Sequence, residues 1–208
     1  VAGILLAAGE GRRLGRPKAL VELGGMTLAE RGATMLRAGG AMPVIVVTGA
    51  VLVDLPGVLS VHNPEWPSGM GSSLAAGLAT VPEQCSAAVI ALADQPLVGA
   101  ESVRRLIAAH DAGATAAVAA YGGEPRNPVL LGRAHWPEVT ALATGDVGAR
   151  RFLRAHPDLA VLVECGDTGS PDDLDTRADL ARLTDLLRSG GPAVARPGGT
   201  TPRDPPAG

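Results

Sequence analysis

The sequence is poor in aromatic rings: Trp66, Tyr121, Trp136 and Phe152 are all it has in 208 residues. A nucleic-acid surface made of stacked rings is thereby excluded, because base stacking needs several such platforms side by side. Cysteine is almost absent. Cys85 and Cys165 lie far apart, form no CxxC pair and have no histidine at zinc-site spacing. They read as free thiols of a reducing cytoplasm. No apolar run reaches the roughly 18 residues that cross a bilayer, so no membrane partner is expected. The apolar start, residues 1–8, lacks a basic flank and runs into a glycine loop; it reads as a buried strand rather than a signal peptide. Neither sign of charge dominates. A formal net charge of -3 argues against a protein that coats nucleic acid, yet it leaves room for a local basic pocket.

What is present is aliphatic. Apolar residues make up 46% of the chain, so its core is built from Ala, Val, Leu and Ile. The length suits one domain. Short apolar runs at 2–7, 43–48, 87–93, 114–120, 128–131 and 159–164 have the form of strands buried on both faces, as in a parallel sheet covered by helices. Helical patterns alternate with them. Thr27-Leu28-Ala29-Glu30 is a capping box, Leu28, Met35 and Leu36 share a face, and Gly39-Gly40 ends the helix. Val103, Leu106, Ile107 and His110 follow helical spacing. Leu180, Leu183 and Leu187 stripe a last helix that Thr176 can cap. This alternation predicts a three-layer α/β domain over residues 1–188 with a mainly parallel sheet. From Ser189 onward the chain is half glycine and proline. It cannot bury a core, so 189–208 is expected to be a disordered tail.

The first chemical signal follows the first strand. Residues 5–20 read LLAAGEGRRLGRPKAL. Glycines and small residues let the backbone bend until its N–H groups approach an anion, and three arginines and a lysine add positive charge there. The pattern describes a polyphosphate cradle. It is not a dinucleotide fingerprint, since Leu14 stands where GxGxxG needs its third glycine, and no window supplies a Walker A loop.

The loop resembles the nucleotidyltransferase signature LAAGxGxRxGxxKxL, in the branch related to molybdenum cofactor cytidylyltransferases and guanylyltransferases. Gly9, Gly11, Arg13, Gly15 and Lys18 fall on its marked positions. Further segments in the family's order strengthen the likeness: residues 63–74 (NPEWPSGMGSSL), 92–98 (LADQPLV), 126–133 (RNPVLLGR), 145–150 (GDVGAR) and Asp173-Leu174-Asp175-Thr176 with Asp179-Leu180. The resemblance implies a Rossmann-like nucleotidyltransferase fold. It implies that backbone at Leu6, Ala7, Ala8, Gly9 and Gly11 wraps a nucleotide whose phosphates Arg13 and Lys18 neutralise. It implies a base pocket lined by Gly69, Gly71, Ser72 and Ser73, where one serine could instead cap the next helix. Segments with Asn127, Arg133, Asp146 and Arg150 are implied to lie near an acceptor pocket, with Arg126 in place of a common glycine.

Nucleotidyl transfer needs positioning and charge neutralisation. A phosphate-monoester nucleophile is already anionic and needs no strong base, which agrees with the lack of a Ser/His/Asp constellation. Asp94, after the most apolar strand, is the best ligand for Mg2+. The resemblance implies Asp175, just before Thr176, as the second, with Asp173 close enough to compete. Ala8 in LAAG resembles cytidylyl-transferring members, which favours CTP over GTP. The implied reaction moves NMP from an NTP to a phosphorylated acceptor such as molybdopterin, releasing pyrophosphate. The implied protein partner is a molybdoenzyme or its maturation factor. A sugar- or polyol-phosphate acceptor, or a non-catalytic nucleotide-binding accessory protein, would use the same loop.

Overall fold

A computed structural model describes residues 1–188; the tail expected at 189–208 lies outside the described residues. The chain forms β1 (Ala2–Leu6), a small hairpin of β2 (Glu22–Leu23) and β3 (Met26–Thr27), α1 (Leu28–Ala38), β4 (Val44–Thr48), β5 (Leu59–His62) and α2 (Met70–Thr80). It continues through β6 (Ala87–Leu92), α3 (Ala100–Asp111), β7 (Ala116–Tyr121), β8 (Glu124–Gly132), α4 (Trp136–Leu142), α5 (Arg150–Ala155), β9 (Ala160–Glu164) and α6 (Arg177–Arg188). The main sheet has the order β5-β4-β1-β6-β8-β7-β9. Every pairing in it is parallel except the two that β8 makes, with β6 and β7.

The strands are apolar throughout because both faces are covered. Along β1, Ile4 and Leu6 join Ile45, Val47 and Ile90 under Leu74 and Leu78 of α2, with Trp136 and Phe152 beyond. Leu5 points the other way and joins Val44, Val46 and Val89 under Leu36 of α1 and Val103 and Leu106 of α3. The side-chain period of two thus divides one continuous apolar run between two cores. The predicted caps form. Thr27 Oγ1 accepts the Glu30 N–H at 3.2 Å, and the Glu30 carboxylate accepts the Thr27 N–H at 2.7 Å. Thr176 and Asp179 make the same exchange ahead of α6, at 3.2 and 2.8 Å.

Two differences from expectation have simple causes. Strand β5 (LSVH) lies at the sheet edge and is mostly exposed, so it carries no apolar run to mark it. Strand β8 begins at Glu124, before the predicted 128, because its first residues pair with β7 beyond the buried part of the sheet.

Two features tie the far ends of the chain to this frame. Leu183 of α6 is fully buried with Leu14 of the glycine loop, Leu23, Leu28, Leu97 and Leu174 in a third, smaller core. Glu164, at the end of β9, accepts backbone N–H groups of Gly123, Gly166 and Gly122 at 3.0, 2.9 and 3.1 Å. These bonds hold its carboxyl below the usual carboxylate range.

Leu183→Ala should lower unfolding free energy by about 2–5 kcal/mol in a urea titration, through lost transfer energy and a cavity. Glu164→Gln should be less stable than wild type at pH 7. A depressed carboxylate stabilises above its unfolded value, near 4.5, and loses that contribution as pH falls through the folded value. The gap between the two proteins in thermal melts should therefore close in acid.

Candidate active site

Strands β1 and β6 end side by side, with Leu6 in register with Leu92. Their connections leave in opposite directions along the sheet, β1 towards β4 and β6 towards β8 and β7. Such a reversal opens a crevice at the carboxyl ends of the strands. The glycine loop and the segment after Leu92 both enter it. Within the loop, Leu14 and Gly15 donate N–H to Gly11 O at 2.9 and 3.0 Å, and Lys18 donates N–H to Gly9 O at 3.4 Å. Gly11 has φ 66°, and a Cβ there would stand 2.1 Å from Arg16 O, so only glycine closes this turn.

The loop's lysine is the hub. Lys18 Nζ donates to Asp94 Oδ2 at 2.7 Å and also to Asp175 Oδ1. Arg13 Nη1 reaches Asp175 Oδ2 at 3.4 Å. Burial opposes the charge on Lys18, but the two carboxylates more than offset it and raise its pKa. The loop's lysine and the carboxylate after β6 therefore meet. Leu174 anchors the segment before α6 by donating its N–H to Asp94 O at 2.7 Å. Asp173 and Asp175 consequently point apart. Asp175 faces Lys18, whereas Asp173 accepts from Gln95 Nε2 at 3.0 Å. Burial pushes the Asp173 carboxyl up, against that hydrogen bond.

A cleft of about 400 Å³ opens between the loop and α2. Leu6, Ala7, Ala8, Gly9, Gly11, Lys18, Asp94, Gly69 and Ser73 line it. Gly71 and Ser72 are not among its lining residues. A Cβ on Gly71 would stand 2.1 Å from Ala143 O, so this glycine serves close packing of α2 on the 143–148 segment. Ser72 Oγ lies 2.9 Å from both Glu65 O and Gly69 O and accepts from Asn63 Nδ2 at 2.9 Å. Neither serine caps α2, whose N-cap is Gly69. The GMGSS stretch is the helix's first turn.

The implied acceptor residues separate. Asp146 lines the cleft. Arg133 sits at the other end of the sheet, since β8 runs antiparallel and Gly132 pairs with Ala87 at the start of β6. Arg133 donates to Cys85 O at 2.8 Å and lies over the Trp136 ring at 4.2 Å. Arg126 is exposed on β8, its guanidinium 3.4 Å from Pro125 O. Sequence reasoning missed Trp66 as a wall of the cleft. Its signal was Gly49, directly after β4, where a Cβ would stand 2.5 Å from the Trp66 ring.

The described residues contain no group of three or more His, Cys, Asp or Glu placed to hold a metal. What they offer is a pair of carboxylates, Asp94 and Asp175, already sharing one cation. That donor set fits a hard divalent ion, which takes one or two carboxylates and fills its remaining positions with phosphate oxygens and water. No helix among the described residues is long and apolar enough to cross a membrane.

An α/β sheet with a cationic glycine loop and a carboxylate facing it across a switch-point crevice has the form of a nucleotidyltransferase. Residues 3–160 match the MobA-like NTP transferase domain, and the chain belongs to that family. It is 39% identical over 197 residues to a protein named nicotine blue oxidoreductase from Paenarthrobacter nicotinovorans, covering 88% of this chain and 96% of the relative. It is 34% identical over 208 residues to a molybdenum cofactor guanylyltransferase from Rhodobacter capsulatus, covering 92% and 99%. Among solved structures, the Rv0371c homologue from Mycobacterium sp. strain JC1 superposes with a TM-score of 0.78 at 32% identity, covering 90% of this chain and 97% of that one. Rv0371c of Mycobacterium tuberculosis H37Rv in complex with manganese gives 0.71 at 26% identity, covering 88% and 97%.

Lys18→Met would leave Asp94 and Asp175 facing each other without their shared cation. A loss of about 1–2 kcal/mol in chemical denaturation is expected, below the fully buried case because the carboxylates are partly solvated.

Proposed function

We propose that this protein is a magnesium-dependent nucleotidyltransferase that moves NMP from an NTP to a phosphorylated acceptor and releases pyrophosphate. The observation that carries the reading is Lys18 held between Asp94 and Asp175 at the mouth of a cleft lined by glycine-loop backbone. Lys18, Arg13 and the loop N–H groups would take the triphosphate oxygens, so that charge is neutralised where it accumulates on the leaving pyrophosphate. Asp94 and Asp175 are the residues that would hold the divalent ion, whose charge neutralises phosphate oxygens. That the similar Rv0371c structure is a complex with manganese supports a divalent ion for this protein.

The acceptor's phosphate is its own nucleophile. Its oxygen forms the new bond to the α-phosphorus as the bond to the leaving pyrophosphate breaks, and no side chain has to abstract a proton. Positioning is what the protein contributes. The similarity to a molybdenum cofactor guanylyltransferase supports a pterin phosphate such as molybdopterin as acceptor. Ala8, in the LAAG segment that resembles cytidylyl-transferring members, supports CTP as donor. The free thiols Cys85 and Cys165 support a reducing cytoplasm as the setting, where a molybdoenzyme or its maturation factor would receive the product.

Purified protein mixed with each NTP, magnesium and the pterin phosphate should release pyrophosphate, with CTP the best donor. Sugar and polyol phosphates in place of the pterin test the alternative acceptors. Silence with every pair, alongside NTP binding in calorimetry, would favour a non-catalytic binding protein. Asp94→Ala should reduce turnover by at least about 100-fold, the scale of losing one preorganised electrostatic group, while circular dichroism stays that of the wild type. Unchanged turnover would remove Asp94 from the site.

A further inference from the structure

Gln95 follows Asp94 directly and is only 8% exposed. Its Nε2 donates to Asp173 Oδ1 at 3.0 Å. Its Oε1 is buried and has no hydrogen-bond partner among the described residues. An unmet buried acceptor costs stability, a cost that an apolar side chain of the same reach would avoid. The opposite amide orientation would set Oε1 against a carboxylate. What this position uses is therefore the amide's donor, and the donor's whole task is Asp173.

The segment that carries Asp173 lies against the segment that carries Gln95. Leu174 donates its N–H to Asp94 O at 2.7 Å, and Ser170 donates its N–H to Leu97 O at 3.0 Å. A Cβ on Gly169 would stand 2.2 Å from Leu97 O, so the two backbones are in close contact there. These bonds set the height of the segment beside Asp94. They do not choose which of its carboxylates turns to Lys18, and side chains make that choice. Asp175 goes to Lys18, and Asp173 goes to Gln95. Asp173 makes no ion pair among the described residues. Burial, and after it the nearby charges of Asp94 and Asp175, push its carboxyl up against the Gln95 hydrogen bond. Released from Gln95, it would be a third carboxylate beside that pair with no cation of its own, repelling both and free to compete for Lys18.

We propose that Gln95 is a positioning residue: by holding Asp173 aside, it leaves Asp94 and Asp175 as the two carboxylates that would meet a divalent ion. The proposal rests on the nucleotidyl-transfer reading and deepens it. Gln95 touches neither ion nor phosphate in this role. It acts through Asp173, as groups behind a metal's ligands commonly do.

Mn2+ is the probe that tests it. The free-ion electron paramagnetic resonance signal gives the affinity of the full chain, with and without CTP, at pH 8, and urea titration gives the stability of each variant. Gln95→Met removes the donor at similar volume and should weaken Mn2+ binding by about tenfold or more, the scale of losing a group that orients a ligand. Gln95→Glu sets a second carboxyl against Asp173 and should weaken it as well. Gln95→Glu combined with Asp173→Asn rebuilds the hydrogen bond with donor and acceptor exchanged, and should return to within about twofold of wild type. A role in packing alone would lower urea stability without that recovery. Wild-type affinity in Gln95→Met would overturn the proposal, and so would a folded double variant that recovers nothing. If Gln95→Met does not fold, the other two variants decide on the recovery alone. No Mn2+ binding by wild type, with or without CTP, would also overturn it. Mn2+ binding that follows Gln95 in a protein that releases pyrophosphate with no acceptor would remove the transferase reading and leave the role of Gln95 intact.

Discussion

One ammonium group organises this molecule's functional end. Lys18 is 76 residues from Asp94 and 157 from Asp175 in sequence, yet its Nζ reaches both carboxylates. Two like charges brought together without it would repel, and a half-buried lysine without them would be driven towards its neutral form. Each side of the contact therefore makes the other tolerable. The glycine loop, the end of β6 and the segment before α6 are brought to one point by the balance. On the proposed function such a site is poised for exchange: phosphate oxygens would replace carboxylates at the lysine, and a divalent ion would replace the lysine at the carboxylates.

The mechanical support for that point is the small core around Leu14. Leu14 is a loop residue, but it is buried with Leu28 at the start of α1, Leu174 beside Asp175, and Leu183 of α6. The same segment that delivers Asp175 to Lys18 thus delivers an apolar anchor under the loop. The family match ends at residue 160, so both the anchor and Asp175 come from chain beyond it. A loop rich in glycine has much conformational freedom to lose when it orders around a ligand. Packing Leu14 removes part of that freedom in advance, which is how a flexible sequence can form a preorganised cradle.

Much of this was legible in the sequence, for reasons that also mark where legibility stops. Apolar runs revealed the central strands because those strands are buried on both faces. They could not reveal β5, which is exposed at an edge. The Gly9–Lys18 segment and Asp94 were readable because turn geometry and strand ends leave local marks in composition. Asp175 could not be separated from Asp173 by spacing, since the choice depends on which side of Leu174 faces Lys18. Arg133 was assigned near the acceptor from its motif alone. The antiparallel direction of β8 carries it to the opposite end of the sheet, and strand direction leaves no local mark. Gly71 and Ser72 stand off the cleft's lining for a related reason. A glycine chosen to let a helix approach Ala143 looks, in sequence, like a glycine chosen to let a base approach the helix.

That ambiguity points to what sets the cleft's shape. Gly11, Gly49 and Gly69 come from separate parts of the chain, and each stands where a Cβ would lie within 2.5 Å of a neighbour. Gly11 closes the phosphate-side turn, Gly49 admits the Trp66 ring, and Gly69 lets α2 meet Gly145. None of the three needs to touch a ligand to be indispensable. They bring walls together that side chains would hold apart, so a substitution at any of them should change the distance between the cationic loop and Asp146. A cleft with Lys18 on one side and Asp146 on the other can select a ligand only if that distance is fixed. Close backbone approach, rather than any single polar contact, is what fixes it.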